Sequence, residues 1–205
     1  MSKIIDIKKY QKNQLLKSPK MLFASIIIGL FSGIILWKYF VENIANYDVK
    51  IPASNHILFN NYSPLGLTTS DIANKFEQYD GSPILFYLYT TWCGSCSRNF
   101  PIINEIADEF QNTDLKIIAI AIDRNLDSEI LKKYSEKFGD IYFSSDYLTN
   151  KQGFMDFLNK KGIKYRGEIP YTALISGDGE IIFKHSGIKS KNYLRNKIIK
   201  ELYPN

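Results

Sequence analysis

Apolar and polar residues are distributed differently in two parts of the chain. Residues 21–41 form one long, nearly uncharged apolar segment, whereas from about residue 55 short apolar runs alternate with segments of mixed polarity. Two of these runs, 84–89 and 116–122, have the length of strands, and their continuous apolar character predicts burial on both faces. Apolar residues at helical spacing predict helices at 69–80, where Thr69-Ser70-Asp71 supplies a cap, beyond Trp92 as far as Phe110, and at 128–138, 152–160 and 191–202.

The C-terminal part of the chain carries a hairpin signal. Runs 173–175 and 181–183 flank Gly177-Asp178-Gly179, whose residues tolerate the positive φ of a tight turn. Tyr142-Phe143 predicts one further short strand. Because strands alternate with helices and the chain ends in a hairpin and a helix, the sequence predicts an α/β sandwich with a mixed sheet.

The long apolar segment predicts a membrane anchor. Residues 21–37 carry no charge, and a helix over 21–41 would be roughly 31 Å long, about one hydrocarbon core. Six lysines precede it against one aspartate, so the positive-inside rule places a basic tail, 1–20, in the cytoplasm. We therefore expect a single-pass inner-membrane protein whose residues 42–54 tether a periplasmic, extracytoplasmic domain, 55–205.

A cleaved signal peptide is the alternative interpretation of the same segment. The apolar run is longer than a usual signal-peptide core, and no small-x-small cleavage site follows it directly. Both interpretations export the domain.

Charge separates the two parts of the chain in the same way. The 205 residues contain 26 Lys plus Arg and 21 Asp plus Glu, and the whole excess of five positive charges lies in residues 1–50. The remaining residues are balanced between basic and acidic side chains. A domain without a basic excess is a poor candidate for binding nucleic acid, which requires a positive field facing the phosphates.

Both cysteines of the chain lie in one tetrapeptide, Cys93-Gly94-Ser95-Cys96, where a predicted strand meets a predicted helix. The start of a helix presents unpaired N–H groups and the positive end of the helix dipole, which stabilise a thiolate at the first cysteine. We therefore expect Cys93 to be a nucleophile. Cys96 follows one helical turn later, where it is shielded from other thiols and can attack a mixed disulfide on Cys93.

These residues resemble a known family. The segment from Thr91 to Cys96, with Arg98, Phe100 and Pro101 after it, is similar to the thioredoxin superfamily, and most similar to its membrane-tethered TlpA/ResA/CcmG branch. The segment 168–172 stands where that family has a cis-proline before a strand, and the resemblance covers roughly 58–202. It implies a three-layer α/β/α sandwich with a mixed central sheet, a redox-active Cys93–Cys96 disulfide with no other cofactor, and a partner groove formed by Trp92, Ile169, cis-Pro170 and Tyr171.

Two positions depart from the family pattern. Many thioredoxins have an acid six residues before the first cysteine, where this chain has Tyr87, and ResA-like proteins often have a glutamate where it has Asn99. Neither residue is an effective base near neutral pH. Removal of the Cys96 proton is then expected to depend on water, on Glu105 or Asp108, or on another acid that the sequence does not place.

The dipeptide between the cysteines indicates the direction of electron flow. Gly94-Ser95 offers no charge and no imidazole to stabilise a reduced thiolate, so we expect a reductant, with a potential nearer about −270 mV than about −120 mV. The resemblance implies a DsbD or CcdA-like membrane protein as electron donor. It implies an oxidised periplasmic protein such as apocytochrome c as substrate.

A cysteine pair also occurs in other kinds of site. A structural disulfide closing so short a loop would constrain the unfolded chain little, and a zinc site lacks a second cysteine pair. A peroxiredoxin is not expected to place its reactive cysteine in this setting. The main rival is a Cu(I) chaperone that binds the metal through Cys93, Cys96 and His185, since soft thiolates suit that ion.

Overall fold

The computed structural model describes residues 57–203. Strands and helices alternate along the chain up to a C-terminal hairpin and helix, as the sequence predicts. The strands are β1 (Gly66–Leu67), β2 (Ile84–Tyr89), β3 (Lys116–Ala121), β4 (Ser145–Leu148), β5 (Tyr171–Ile175) and β6 (Ile181–Ser186). The helices are α1 (Thr69–Gln78), α2 (Gly94–Phe110), α3 (Ser128–Glu136), α4 (Phe154–Lys160) and α5 (Lys191–Leu202).

All six strands form one mixed sheet in the order β1-β4-β3-β2-β5-β6. The first four of that order are mutually parallel, whereas β5 is antiparallel to both β2 and β6. Every residue of β2 is buried, as its continuous apolar sequence predicts for a strand in the middle of a covered sheet. In the register, Tyr87 of β2 lies between Ala119 of β3 and Thr172 of β5.

Helices cover both faces of the sheet, and each face has its own core. Along β2, Leu85, Tyr87 and Tyr89 belong to a core with residues of α2, α3 and α5. The alternate residues of the strand point to the opposite core, which includes residues of α1 and α4. The three-layer α/β/α sandwich is therefore confirmed. We call the core beneath α2 the α2-side core.

The predicted strand at Tyr142-Phe143 is wrong. The chain is irregular there, and the strand begins at Ser145. Asn104 of α2 explains the difference, because its amide group donates to the Asp140 carbonyl at 2.8 Å and accepts from the Tyr142 N–H at 2.9 Å. A buried side chain thus provides the hydrogen bonds that a neighbouring strand would otherwise supply.

Two smaller features also differ from the sequence prediction. The cap of α1 is Thr68 instead of Thr69, because Thr68 and Asp71 form a reciprocal capping box. Strand β1 is too short to produce a periodic signal, and it forms by pairing with β4.

The predicted tail, anchor and tether, 1–20, 21–41 and 42–54, lie outside the described residues. None of the helices within residues 57–203 has the length and apolar character needed to cross a membrane.

Phe100 allows a test of the packing that holds α2 on the sheet. Its ring lies 4.7 Å from that of Phe138, 5.1 Å from that of Phe143 and 5.6 Å from that of Tyr89. We expect Phe100→Ala to lower the free energy of unfolding by about 3–5 kcal/mol, because it leaves a cavity beneath the helix. Denaturant unfolding measures this, and Ile130→Ala, at a side chain that is 48% exposed, should change it by no more than about 0.5 kcal/mol.

Candidate active site

The two cysteines lie at the start of α2, directly after the central strand. Cys93 is the N-cap residue, with extended backbone dihedrals, and its Sγ accepts the backbone N–H of Cys96 at 3.3 Å. The Cys93 carbonyl accepts the N–H of Ser97 at 3.0 Å, the first bond of the helix. The sulfur of Cys93 therefore occupies the place of a capping oxygen, where backbone N–H groups favour negative charge.

The two sulfurs have different surroundings although they are one turn apart. Cys93 is half-buried, Cys96 is completely buried, and neither is in a disulfide. Burial, with the adjacent Cys93 side chain as a second cause, raises the pKa of the Cys96 thiol to about 12. Cys96 is thus protonated near neutral pH, while Cys93 is the sulfur that a partner can reach.

Tyrosines fill the space beneath the helix start. The Tyr87 hydroxyl donates to the Cys96 carbonyl at 3.5 Å, and the Tyr87 and Tyr89 rings stack with centroids 5.0 Å apart. The Tyr89 hydroxyl bonds to that of Ser145 at 2.6 Å. Burial raises the pKa of both tyrosines above the usual 10, so both are neutral phenols.

One buried carboxylate at the site was missed by the sequence analysis. Both oxygens of Asp123 accept the backbone N–H of Thr91 at 3.1 Å, and one accepts the Thr91 hydroxyl at 2.7 Å. Asp123 is only 8% exposed and follows the C-terminal end of β3. A signal existed, because the carboxyl ends of adjacent parallel strands meet at one edge of a sheet and commonly bear functional groups there.

The acids that the sequence suggested for Cys96 do not lie beside it. Glu105 and Asp108 are nine and twelve residues further along α2, about 14 and 18 Å in rise. Glu105 is exposed and pairs with Lys191 at 3.4 Å. Asn99, in contrast, is buried within one turn of Cys96, and its Nδ2 has no hydrogen-bond partner among the described residues.

The four predicted groove residues occupy different surroundings. Trp92 is 72% exposed beside Cys93. Ile169 is partly buried against the α2-side core, as Cys93 is. Pro170 is buried, and the Ile169–Pro170 peptide bond is cis, as the resemblance implies. The Tyr171 side chain belongs to the opposite core, so at most its backbone faces the dithiol.

The structure does not join His185 to the cysteines as a metal site. His185 lies on β6 opposite Thr172, two strands from β2. Among residues 57–203 no three His, Cys, Asp or Glu side chains are grouped to hold a metal ion. Burial lowers the pKa of His185. No observation favours the copper chaperone.

Arg98 lies at the surface of the site, one turn after Ser95. The Arg98 guanidinium donates to the Ser95 hydroxyl at 3.2 Å and is exposed. One accessible sulfur and one buried sulfur a turn away suit thiol-disulfide exchange in two successive steps.

Comparison with known proteins agrees with this geometry. The chain is 23% identical over 197 residues to thiol-disulfide oxidoreductase ResA of Bacillus cereus, covering 92% of this chain and all of that one. It is 25% identical over 126 residues to ResA of Geobacillus thermodenitrificans, covering 61% and 66% of the two chains. A thioredoxin family thiol:disulfide interchange protein from Chlorobium tepidum has a similar structure, with a TM-score of 0.51, 18% identity, and 62% and 83% of the chains covered.

The family match spans most of the chain. Residues 50–200 match the Redoxin family. Together with the three-layer fold and the ResA relatives, this match shows that the chain belongs to the Redoxin family, as a thioredoxin-like thiol-disulfide oxidoreductase of the TlpA/ResA/CcmG type.

Proposed function

We propose that the chain is a membrane-tethered, extracytoplasmic reductant of protein disulfides that uses Cys93 as nucleophile and Cys96 as resolving thiol. The observation that carries the proposal is the asymmetry of the pair. Cys93 is accessible and its sulfur accepts a helix N-terminal N–H, whereas Cys96 is fully buried one turn further on. A pair with these properties attacks an external disulfide in a fixed order.

The exchange has two steps. The Cys93 thiolate attacks one sulfur of the partner's disulfide, so that a Cys93–partner disulfide forms and the partner's second sulfur leaves as a thiolate. The Cys96 thiolate then attacks the Cys93 sulfur, which forms the Cys93–Cys96 disulfide and releases the partner's first sulfur. Two electrons pass to the partner, which gains two protons as its thiolates are protonated.

The surroundings of the dipeptide support the reducing direction. Gly94-Ser95 places no charge between the cysteines, and Arg98 is exposed to solvent, which screens its effect on a nearby thiolate. Little therefore stabilises the reduced form beyond the helix start itself. In an oxidising compartment such a protein must be reduced again after each turnover.

The proposed location and partners rest on sequence and resemblance. The apolar segment 21–41, in which Lys38 is the one charged residue, is long enough to anchor the chain, and the lysines before it favour a cytoplasmic N-terminus. A DsbD or CcdA-like membrane protein would supply electrons, and an oxidised extracytoplasmic protein, with apocytochrome c as the first candidate, would receive them. The ResA relatives support a thiol-disulfide substrate of this class.

The redox potential tests the direction. We expect a value near that of thioredoxin, about −270 mV, and far from the value of about −120 mV of a strong oxidant. Equilibration of the full chain with glutathione buffers, followed by counting of free thiols, measures it. A potential close to the oxidant's value would contradict the reducing role.

Alkylation tests the asymmetry of the two thiols. Burial raises the pKa of Cys96 to about 12, so almost none of it is thiolate near neutral pH, and burial also keeps reagents away from it. Between about pH 7 and 9 we expect iodoacetamide to modify Cys93 alone in the folded chain, as read by mass spectrometry. In Cys93→Ser, iodoacetamide should modify no thiol rapidly. In the denatured parent chain, it should modify both cysteines.

Trapping tests the order of the two steps and identifies the partner. In Cys96→Ser the second step is blocked, so partners should accumulate as disulfides on Cys93 that a reductant releases. Cys93→Ser is the matched control and should trap nothing. If both variants trap the same proteins equally, or neither traps any, the proposed order of attack is wrong.

A further inference from the structure

The second step of the exchange requires a proton acceptor. Burial keeps Cys96 as a thiol near neutral pH, yet it must become a thiolate to attack Cys93. The two positions where related proteins often carry an acid are Tyr87 and Asn99 in this chain. Burial raises the pKa of Tyr87 above its usual value, and an amide has no basic character, so neither accepts the proton.

The other titratable neighbours of Cys96 are also weak acceptors. Burial raises the pKa of Tyr134 in α3 and of Tyr165, which precedes β5, and the charge of Cys96 raises the pKa of both phenols further. The Cys93 sulfur is bonded to the partner at this stage. Among the neighbouring groups that shift the pKa of the Cys96 thiol, Asp123 is the one that supplies a carboxylate.

The position of Asp123 follows from the sheet. Alternate residues of β3, Ala119 and Ala121, lie in the α2-side core together with Cys96. The pairing continues past the strand, since the Ile122 N–H donates to the Tyr89 carbonyl at 2.9 Å. Asp123 follows Ala119 and Ala121 on the same face of the sheet, because side chains alternate between the two faces. It lies at the edge of the sheet where the chain leaves β2 and enters the segment with the two cysteines.

The contacts of Asp123 fix it at this point. Its carboxylate is held by the backbone N–H and the hydroxyl of Thr91, two residues before Cys93. The backbone of Thr90, one residue earlier, is itself a hydrogen-bond neighbour of the Cys96 sulfur. The Thr90 hydroxyl is buried without a partner among the described residues. The carboxylate and the buried sulfur thus flank the same short segment of backbone.

We propose that Asp123 accepts the proton of the Cys96 thiol when Cys96 resolves the mixed disulfide. This inference rests on the proposed roles of Cys93 and Cys96. The proton acceptor then lies at the end of β3, because Tyr87 in β2 and Asn99 in α2 cannot accept the proton.

The step balances as a proton transfer coupled to disulfide exchange. The S–H bond of Cys96 breaks, and its proton is held on the Asp123 carboxylate. The sulfur's electron pair forms the bond to Cys93, and the Cys93–partner bond breaks with its pair on the partner's sulfur. The partner's thiolate is then protonated, either from the carboxylic acid or from solvent, which returns Asp123 to its charged form.

The aromatic disulfide DTNB separates the two steps in a single experiment. The reduced full chain releases one coloured aryl thiolate when Cys93 attacks DTNB, which leaves Cys93 in a disulfide with the second aryl thiolate. It releases that second thiolate when Cys96 attacks the Cys93 sulfur. In Asp123→Asn, which keeps the size of the side chain and an oxygen for Thr91, we expect the first release to be unchanged. The second should be slower by about 10²-fold near neutral pH, the usual contribution of a positioned base.

The pH profile distinguishes proton acceptance from a structural role. In the parent the second release should change little between about pH 7 and 9, because Asp123 instead of solvent hydroxide takes the proton. In Asp123→Asn it should rise with pH, as solvent hydroxide replaces the missing acceptor. Asp123→Glu should restore part of the rate and the flatter profile. Asp114→Asn, the same change at the exposed residue just before β3, should match the parent in both steps.

Three results would decide against the proposal or its basis. A second release in Asp123→Asn with the parent's rate and pH profile would overturn it. The proposal would also be overturned if Asp123→Asn slowed both releases without changing the pH profile and Thr91→Val had the same effect. Asp123 would then only hold the loop in place. Failure of the first release in the parent would instead refute the proposed role of Cys93.

Discussion

The rest of the site depends on one hydrogen bond, in which the Cys96 N–H donates to the Cys93 sulfur at the start of α2. It exists because α2 begins at the residue after Cys93, so this sulfur takes the place of a capping oxygen. The same helical turn brings Cys96 back over the sheet and buries it. Two identical side chains therefore acquire different chemistry from one turn of helix, and the order of attack follows from that difference.

Packing beneath the helix explains how this geometry is maintained. The rings of Tyr87 and Tyr89 stack below the helix start, and Phe100 packs against Tyr89 from the helix. Their burial excludes water from Cys96, which favours its neutral form, and it equally favours the neutral form of the phenols. A core made of phenols cannot also take up a proton, and the acceptor that we propose comes from a neighbouring strand end. Asp123 is in that position, and its carboxylate is compensated by the donors of Thr91.

Sequence patterns were reliable where a single physical effect governs a long segment. The limits of β2 and α5 agree with the sequence, because continuous burial and one-sided burial each leave a regular pattern. The pattern was misleading at Tyr142-Phe143, where two aromatic residues resemble a strand but an amide side chain of α2 supplies the hydrogen bonds. Strand β1 left no pattern at all, since two residues cannot show a period.

The sequence by itself determined the alternation of strands and helices, the dithiol, and its place between a buried strand and a helix. These are local properties, encoded by neighbouring residues and their spacing. Only the tertiary structure decided that Glu105 faces solvent, that the Tyr171 side chain lies in the opposite core, and that Asp123 meets Thr91 from 32 residues away. Such contacts depend on the order of strands in the sheet and on which face each side chain occupies, and no local pattern carries that information.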